Sequence, residues 1–161
     1  MTVAPDVKTT SITIRAITPD DYREWKPLWD GYNAFYGRHG TTALPDDITQ
    51  ATWSRFFDRD EPVYANVALC DGQLCGLVHY LFHRSTTALN PVCYLQDLYV
   101  DATLRGRGIA RQLIESVYMT AKQNDLTRVY WLTHESNHTA MQLYDKVADK
   151  PGFIVYRKQL I

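Results

Sequence analysis

Cysteine is scarce in this chain, and Cys70, Cys75 and Cys93, the only three, form no Cys-x-x-Cys pair. That count and spacing argue against a disulfide-stapled secreted scaffold and a thiolate metal site. They read as reduced, buried thiols on strands of a cytoplasmic protein. Long apolar runs are missing too: no stretch approaches the ~20 residues that span a bilayer, so no membrane partner is expected. Residues 1–10 lack the apolar core of a signal peptide and are expected to form a short disordered leader, followed by one domain over 11–161. Nor is there an excess of charge of one sign, with 17 Lys+Arg against 18 Asp+Glu and a formal net charge of −1. Nucleic-acid binders usually carry a basic excess, so no nucleic-acid partner is expected. Internal repeats, low-complexity tracts and linkers are absent. What remains is an ordinary globular composition, 45% hydrophobic and 22% charged over 161 residues, enough for one domain with a substantial core.

Residues 11–17 (SITIRAI) alternate as a half-buried strand. Thr18 is a suitable N-cap, and Pro19 a suitable first residue, for a helix after that strand. Tyr22, Trp25, Leu28, Trp29, Tyr32, Phe35 and Tyr36 then recur at three- and four-residue spacing, tracing one helical face. Pro27 inside that pattern predicts a kink or two short helices. Residues 41–47 read as a loop and 48–57 as a second helix. Residues 63–69 and 73–82 read as strands joined at Asp71-Gly72, a hairpin turn signal. Residues 91–100 (PVCYLQDLYV) form another strand and 109–124 an amphipathic helix. A strand over 128–133, a helix over 137–147 and a closing strand over 152–159 complete a β-α-α-β-β-β-α-β-α-β order. That is an α/β domain with a mixed sheet.

The connection after Val100 carries the strongest chemical signal. A strand ends there, Arg105-Gly106-Arg107-Gly108-Ile109-Ala110 comes next, and a helix begins at about Gly108. A helix N-terminus presents unpaired N–H groups and a partial positive charge. Glycines let a bulky anion approach those groups, and Arg105, Arg107 and Arg111 add cationic donors. The segment lacks the Lys-Ser/Thr of a Walker loop and the third glycine of a dinucleotide fingerprint, whose position is Arg111. The structural alternative is a solvated Arg-Gly turn.

These residues resemble the GNAT acetyltransferases. Arg105-x-x-Gly108-x-Ala110 is similar to that family's Arg/Gln-x-x-Gly-x-Gly/Ala signature, and Asp97-Leu98-Tyr99-Val100 resembles its central strand. Residues 133–144 (THESNHTAMQLY) resemble its second cofactor motif. The words LWDGYNAFY, YLQDLYV, VYW and HESNHTAMQLYDKV look most like the fungal histone/polyamine acetyltransferase subgroup and its bacterial relatives. Two departures stand out. Residues 145–151 lengthen the approach to Gly152-Phe153, and Asp97 stands where many members carry Glu.

The resemblance implies a single-domain GNAT (acyl-CoA N-acyltransferase) fold: a mixed, mostly antiparallel sheet flanked by helices, with a bulge splaying the central strand. It implies acetyl-CoA as cosubstrate, no metal, and direct transfer of acetyl from the thioester to a primary amine. Leu98, Tyr99 and Val100 would pair with the pantetheine arm as an added strand. The backbone of Arg105, Gly106, Arg107, Gly108, Ile109 and Ala110 would hold the pyrophosphate. Asn137 would bond the pantetheine or a nearby water, and Tyr144 would protonate the departing thiolate. Its alternative is a packed aromatic. Asp97 is the first candidate for the base that deprotonates the amine; its alternatives are a cation anchor or a structural acceptor. Glu135 and His79 stand in reserve, whereas His134 and His138 read as exposed.

The acceptor wall is expected in residues 22–57, where aromatics and Asp30, Asp46, Asp47 and nearby Asp58 could hold a cationic amine. Most of those aromatics also suit a core. Polyamines, other small amines, amino acids and protein lysines or N-termini all remain open as acceptors. The apolar end, residues 153–161 (FIVYRKQLI), is expected to pair across a homodimer. Competing readings are a non-catalytic acyl-CoA sensor and an interaction domain.

Overall fold

The computed structural model describes residues 10–160. The expected leader therefore lies outside the described residues except for Thr10. In chain order the elements are β1 (Ile12–Ala16), α1 (Tyr22–Phe35), α2 (Asp46–Arg55), β2 (Val63–Cys70), β3 (Gln73–His83), β4 (Val92–Val100), α3 (Ile109–Gln123), β5 (Val129–Tyr130) and α4 (His138–Val147). One-turn 3-10 helices occupy Pro19–Asp21, Gly40–Thr42 and Ala102–Leu104. The chain divides after Trp131 into two compact units. The first carries β1 to β5 with α1 to α3, and the second carries α4.

The five strands lie in the order β1-β2-β3-β4-β5. The first three pairings are antiparallel, while β4 and β5 run parallel through Cys93↔Val129 and Tyr94↔Tyr130. Alternation along β2 sends Ala65 and Val67 toward α1, where they join a cluster with Trp25, Leu28, Trp29, Tyr32 and Leu77. Asn66 points the other way and donates to Ser116 of α3 at 2.9 Å. On α3, Ile109, Leu113, Ile114, Val117 and Ala121 are buried at the i, i+4, i+5, i+8, i+12 spacing of a helix lying on a sheet.

The β2–β3 turn places Asp71 and Gly72 at φ 50° and 87°, as a tight hairpin requires. The register shifts between Ala68 and Leu69, leaving Cys75 as the extra residue beside the turn. Cys70 and Cys75 then sit with Cα atoms 5.9 Å apart and are joined as a disulfide. This corrects the expectation of three reduced thiols, since the sequence spacing of 5 hides a close approach that only the hairpin creates. Cys93 is free and buried, and burial pushes its thiol up to about 12.

Three other expectations change. Pro27 lies inside α1 without splitting it. It falls in the second turn, where only one ladder bond is lost, and the buried Trp25, Leu28, Trp29 and Tyr32 hold the helix to the sheet. The strand over 128–133 shrinks to Val129–Tyr130. Residues 152–159 form no strand, because no described strand pairs with them.

Beneath α1 the Trp25 indole is fully buried and donates from Nε1 to His79 Nε2 at 3.0 Å. Replacing Trp25 with Phe keeps an aromatic ring but orphans that buried acceptor, at a cost of about 1–3 kcal/mol. A fall of that size in urea-unfolding free energy is the expected result. At the entry to α1, Asp21 takes two bonds from Arg15, at 2.6 and 2.8 Å, and one from the Thr18 N–H at 2.8 Å. Arg15 above all holds its carboxyl below the ordinary value of 3.8. A lowered carboxylate stabilises the fold above its unfolded value and loses that contribution as pH falls through the native one. Stability therefore drops as pH falls below about 3.8, and Asp21→Asn flattens this part of a pH series of melting temperatures.

Candidate active site

Strand β4 is paired on both sides only at its start. Its ladder with β3 continues through His79↔Asp97, Val78↔Leu98, Leu77↔Tyr99 and Gly76↔Val100. Its ladder with β5 ends at Tyr94. Between the two regions the register jumps from Tyr80↔Leu95 to His79↔Asp97, leaving Gln96 as the extra residue. A bulge bends and twists its strand, and here it coincides with the separation of β4 from β5. Among the described residues, Leu98, Tyr99 and Val100 thus keep an edge with no strand partner. An extended ligand arm can complete such an edge through main-chain bonds.

The turn beyond Val100 is open and glycine-shaped. Gly106 and Gly108 lie at φ 78° and 77°, and a Cβ at either would meet nothing within 4 Å. Gly108 is the N-cap of α3 and supplies no side-chain cap, so no side chain caps the first N–H groups of that helix. Asp101 braces the approach, accepting from the Thr103 N–H at 2.8 Å and hydroxyl at 2.6 Å. Those bonds hold the Asp101 carboxyl below the usual range. Arg105 turns back, donating from Nε to the Val100 carbonyl at 3.3 Å, with its Cζ 5.8 Å from the Tyr99 ring centre. Arg107 reaches Thr10 at 3.3 Å, and Arg111 lies 4.0 Å from Glu115. The anion-facing elements are therefore mainly backbone N–H groups, which suits a diphosphate held at a helix N-terminus. The uncapped turn and the free β4 edge together fit the diphosphate and pantetheine arm of a coenzyme A thioester.

Behind the bulge lies Asp97, with a tenth of its side-chain surface exposed. His79 Nδ1 stands 3.0 Å from its Oδ2. An indole nitrogen only donates, so His79 Nε2 must accept from Trp25 and Nδ1 must carry the proton it gives to Asp97. His79 thus has no lone pair left to act as a base, and serves to orient Asp97. The Tyr32 phenol lies within the influence of the same carboxylate. Burial first, and then Asp97, raises the Tyr32, Tyr36 and Tyr94 phenols. A cavity of about 110 Å³ opens beside Asp97, lined in part by Trp29, Thr52, Phe56, His79 and Gln96.

The expected carboxylate wall takes a different form. Asp30 is tied to Lys26 at 2.7 Å, and Asp46, Asp47 and Asp58 are exposed. Trp25, Trp29 and Tyr32 belong to the core, whereas Phe35 and Tyr36 remain exposed. In the second unit Asn137 precedes α4 and donates from Nδ2 to Thr133 Oγ1 at 3.1 Å. Tyr144 is half-buried on α4, and His134, Glu135 and His138 are exposed. Sequence reasoning missed the Trp25–His79–Asp97 chain, whose members are separated by 54 and 18 residues. Nor did it indicate that Arg38, which follows a glycine and reads as ordinary loop, would lie over the Tyr32 and Tyr36 rings, with Cζ 5.9 and 5.5 Å from their centres. Among the described residues no cluster of three or more His, Cys, Asp or Glu is arranged to hold a metal ion, and no helix is long and apolar enough to cross a membrane.

The sequence and the fold have counterparts among known proteins. Over 149 residues the chain is 35% identical to the D-amino-acid N-acetyltransferase HPA3 of Saccharomyces cerevisiae, covering 91% of this chain and 90% of that one. The fold matches an aminoglycoside N-acetyltransferase AAC(6')-Iy in complex with CoA, with a TM-score of 0.79 at 18% identity over 99% of this chain and all (100%) of that one. It also matches a ribosomal-protein-alanine N-acetyltransferase from Brucella melitensis biovar Abortus 2308, with a TM-score of 0.73 at 21% identity over 93% of this chain and 100% of that one. Residues 25–148 match the acetyltransferase (GNAT) family, spanning α1 to α4 with both sequence motifs. The chain belongs to that family and is an N-acetyltransferase, one of a group whose members draw the acetyl group from acetyl-CoA.

Proposed function

We propose that the chain acetylates the primary amine of a small amino compound, with amino acids as the favoured acceptors over polyamines and protein lysines. The carrying observation is the Asp97 carboxylate, oriented from below by His79 at 3.0 Å and bordered by the 110 Å³ cavity. The likeness to a D-amino-acid N-acetyltransferase across nine-tenths of both chains supports amino acids.

Acetyl-CoA supplies an activated acyl carbon. In the balanced reaction the amine nitrogen bonds that carbon, the C–S bond breaks, one amine proton leaves to the enzyme or solvent, and the sulfur is released as a thiol. An amine near neutral pH is mostly ammonium, with a pKa of about 10.4 for an alkylamine, so a proton acceptor beside it speeds the reaction. Asp97 takes that part, its orientation fixed by His79. The N–H groups at Gly106–Ala110 bind the diphosphate, and Leu98, Tyr99 and Val100 align the arm along the open edge. Tyr144 gives the proton that the sulfur takes up, and Asn137 secures the arm. Proximity and hydrogen bonding then suffice without a covalent enzyme intermediate. This agrees with the burial of Cys93, the one free thiol among the described residues.

The test is acetyl-CoA-dependent thiol release across a panel of amines, with calorimetry for coenzyme binding. Tyr144→Phe and Asp97→Asn should each lower kcat/KM by about 100-fold or more while acetyl-CoA still binds. Undiminished turnover in either variant removes that residue's role. Well-folded protein that fails to bind coenzyme A overturns the whole reading.

A homodimer joined through the chain end is part of the same proposal. Phe153, Ile154, Val155, Tyr156 and Leu160 are each more than three-fifths exposed and have no strand partner among the described residues. A second copy can cover them by strand pairing. Light scattering should give about twice the 18.6 kDa chain mass, and a single-chain mass refutes the dimer.

A further inference from the structure

Beside the tyrosines that border Asp97 lies a further charged side chain, Arg38. Arg38 lies just beyond α1 and is half-buried. Its guanidinium is held in place: the backbone N–H donates to the Asn33 carbonyl at 3.0 Å, and Nε donates to Asn33 Oδ1 at 2.7 Å. Asn33 is itself buried and fixed by its Nδ2 bond to the Trp29 carbonyl at 2.8 Å. A buried amide thus clamps the arginine at two points. Arg38 forms no ion pair among the described residues, although Lys26, Arg15 and Arg111 all do. Among the described residues its terminal nitrogens make no hydrogen bond or ion pair, which leaves a fork of donors that suits a carboxylate.

The guanidinium lies against the tyrosines that border Asp97. Arg38 Cζ is 5.9 Å from the Tyr32 ring centre and 5.5 Å from that of Tyr36. Asp97 acts on the same Tyr32 phenol that Arg38 overlies, so one ring lies within the influence of both charges. Both charges reach the two phenols with opposite sign: Asp97 raises them and Arg38 lowers them, beneath the larger effect of burial.

We propose that Arg38 is a specificity-determining residue that binds the α-carboxylate of an amino-acid acceptor while Asp97 faces its amino group, the Tyr32 and Tyr36 rings forming the floor between them. This rests on the reading of Asp97 as the amine-facing group. A zwitterion matches a plus–minus pair spaced by one aromatic side chain. A polyamine or a lysine side chain brings only positive charge and meets an unpaired arginine, so Arg38 also selects against those acceptors.

The test compares D- and L-phenylalanine, the corresponding amides, phenethylamine and spermidine in the thiol-release assay, with acetyl-CoA binding measured alongside. The wild type should favour at least one phenylalanine enantiomer over its amide by about 10- to 100-fold in kcat/KM, the worth of a charge-assisted bond to a carboxylate. Arg38→Gln should collapse that ratio toward one, chiefly through KM for the amino acid, and Arg38→Lys should restore part of it. Acetyl-CoA affinity should match wild type in both variants. The inference fails if the wild type uses acid and amide equally, a result that requires no variant to fold. It also fails if Arg38→Gln keeps the preference. Protein that acetylates amines without this discrimination overturns only the role of Arg38. Protein that binds acetyl-CoA but acetylates no amine overturns the acceptor reading of Asp97, and this inference with it.

Discussion

The hydrogen bond from the Trp25 indole to His79 is the constraint on which the site depends. A carboxylate behind an aromatic helix must be fully partnered or its burial is costly. Because the indole can only donate, it fixes the imidazole tautomer, and the tautomer fixes which His79 nitrogen faces Asp97. Trp25 is locked in turn by stacking on Trp29, with ring centres 5.8 Å apart, and by its contact with Trp53 at 4.9 Å. The aromatic layer therefore acts through the histidine: packing of α1 and α2 becomes the orientation of one carboxyl group.

The extra residue in β4 gives that carboxylate its surroundings. Gln96 disturbs the ladder at the point where β4 loses β5, and Asp97 is the next residue along. One irregularity thus separates a closed stretch of sheet, which stabilises the fold, from an open edge free to bind. The same strand leads through Val100 to the glycine turn and α3, so the open edge and that turn are parts of one continuous segment. Gly31 contributes from the α1 side, since a Cβ there would meet the Tyr99 hydroxyl at 2.5 Å. A helix normally gains from Ala over Gly by about 1 kcal/mol, and the close approach of Tyr99 explains glycine at this position.

Much of the fold was legible because its signals are local. Alternation in residues 63–69 and 73–82, the Asp71-Gly72 turn, and the helical spacing of 109–124 each state their element within one window, and the boundaries differ by only a residue or two. The Arg-Gly turn was legible for the same reason. Pro27 misled because its local cost is outweighed by tertiary packing of Trp25, Leu28 and Trp29. The closing strand misled because an alternating apolar segment states a capacity to pair, not the presence of a partner. Cys70 and Cys75 misled because their meeting depends on a bulge.

By itself the sequence determined the element order as far as α4, the glycine-bearing turn at a helix start, and the family to which those motifs point, since all are written in short-range spacing. Only the tertiary structure decided which charges meet. His79 changed from a reserve base to the support of Asp97, the carboxylates of α1 and α2 proved exposed or already paired, and Arg38 came to lie beside the tyrosines of Asp97. Such outcomes depend on distances between residues far apart in the chain, and hydrogen bonds act over about 3 Å of space however long the chain between their ends.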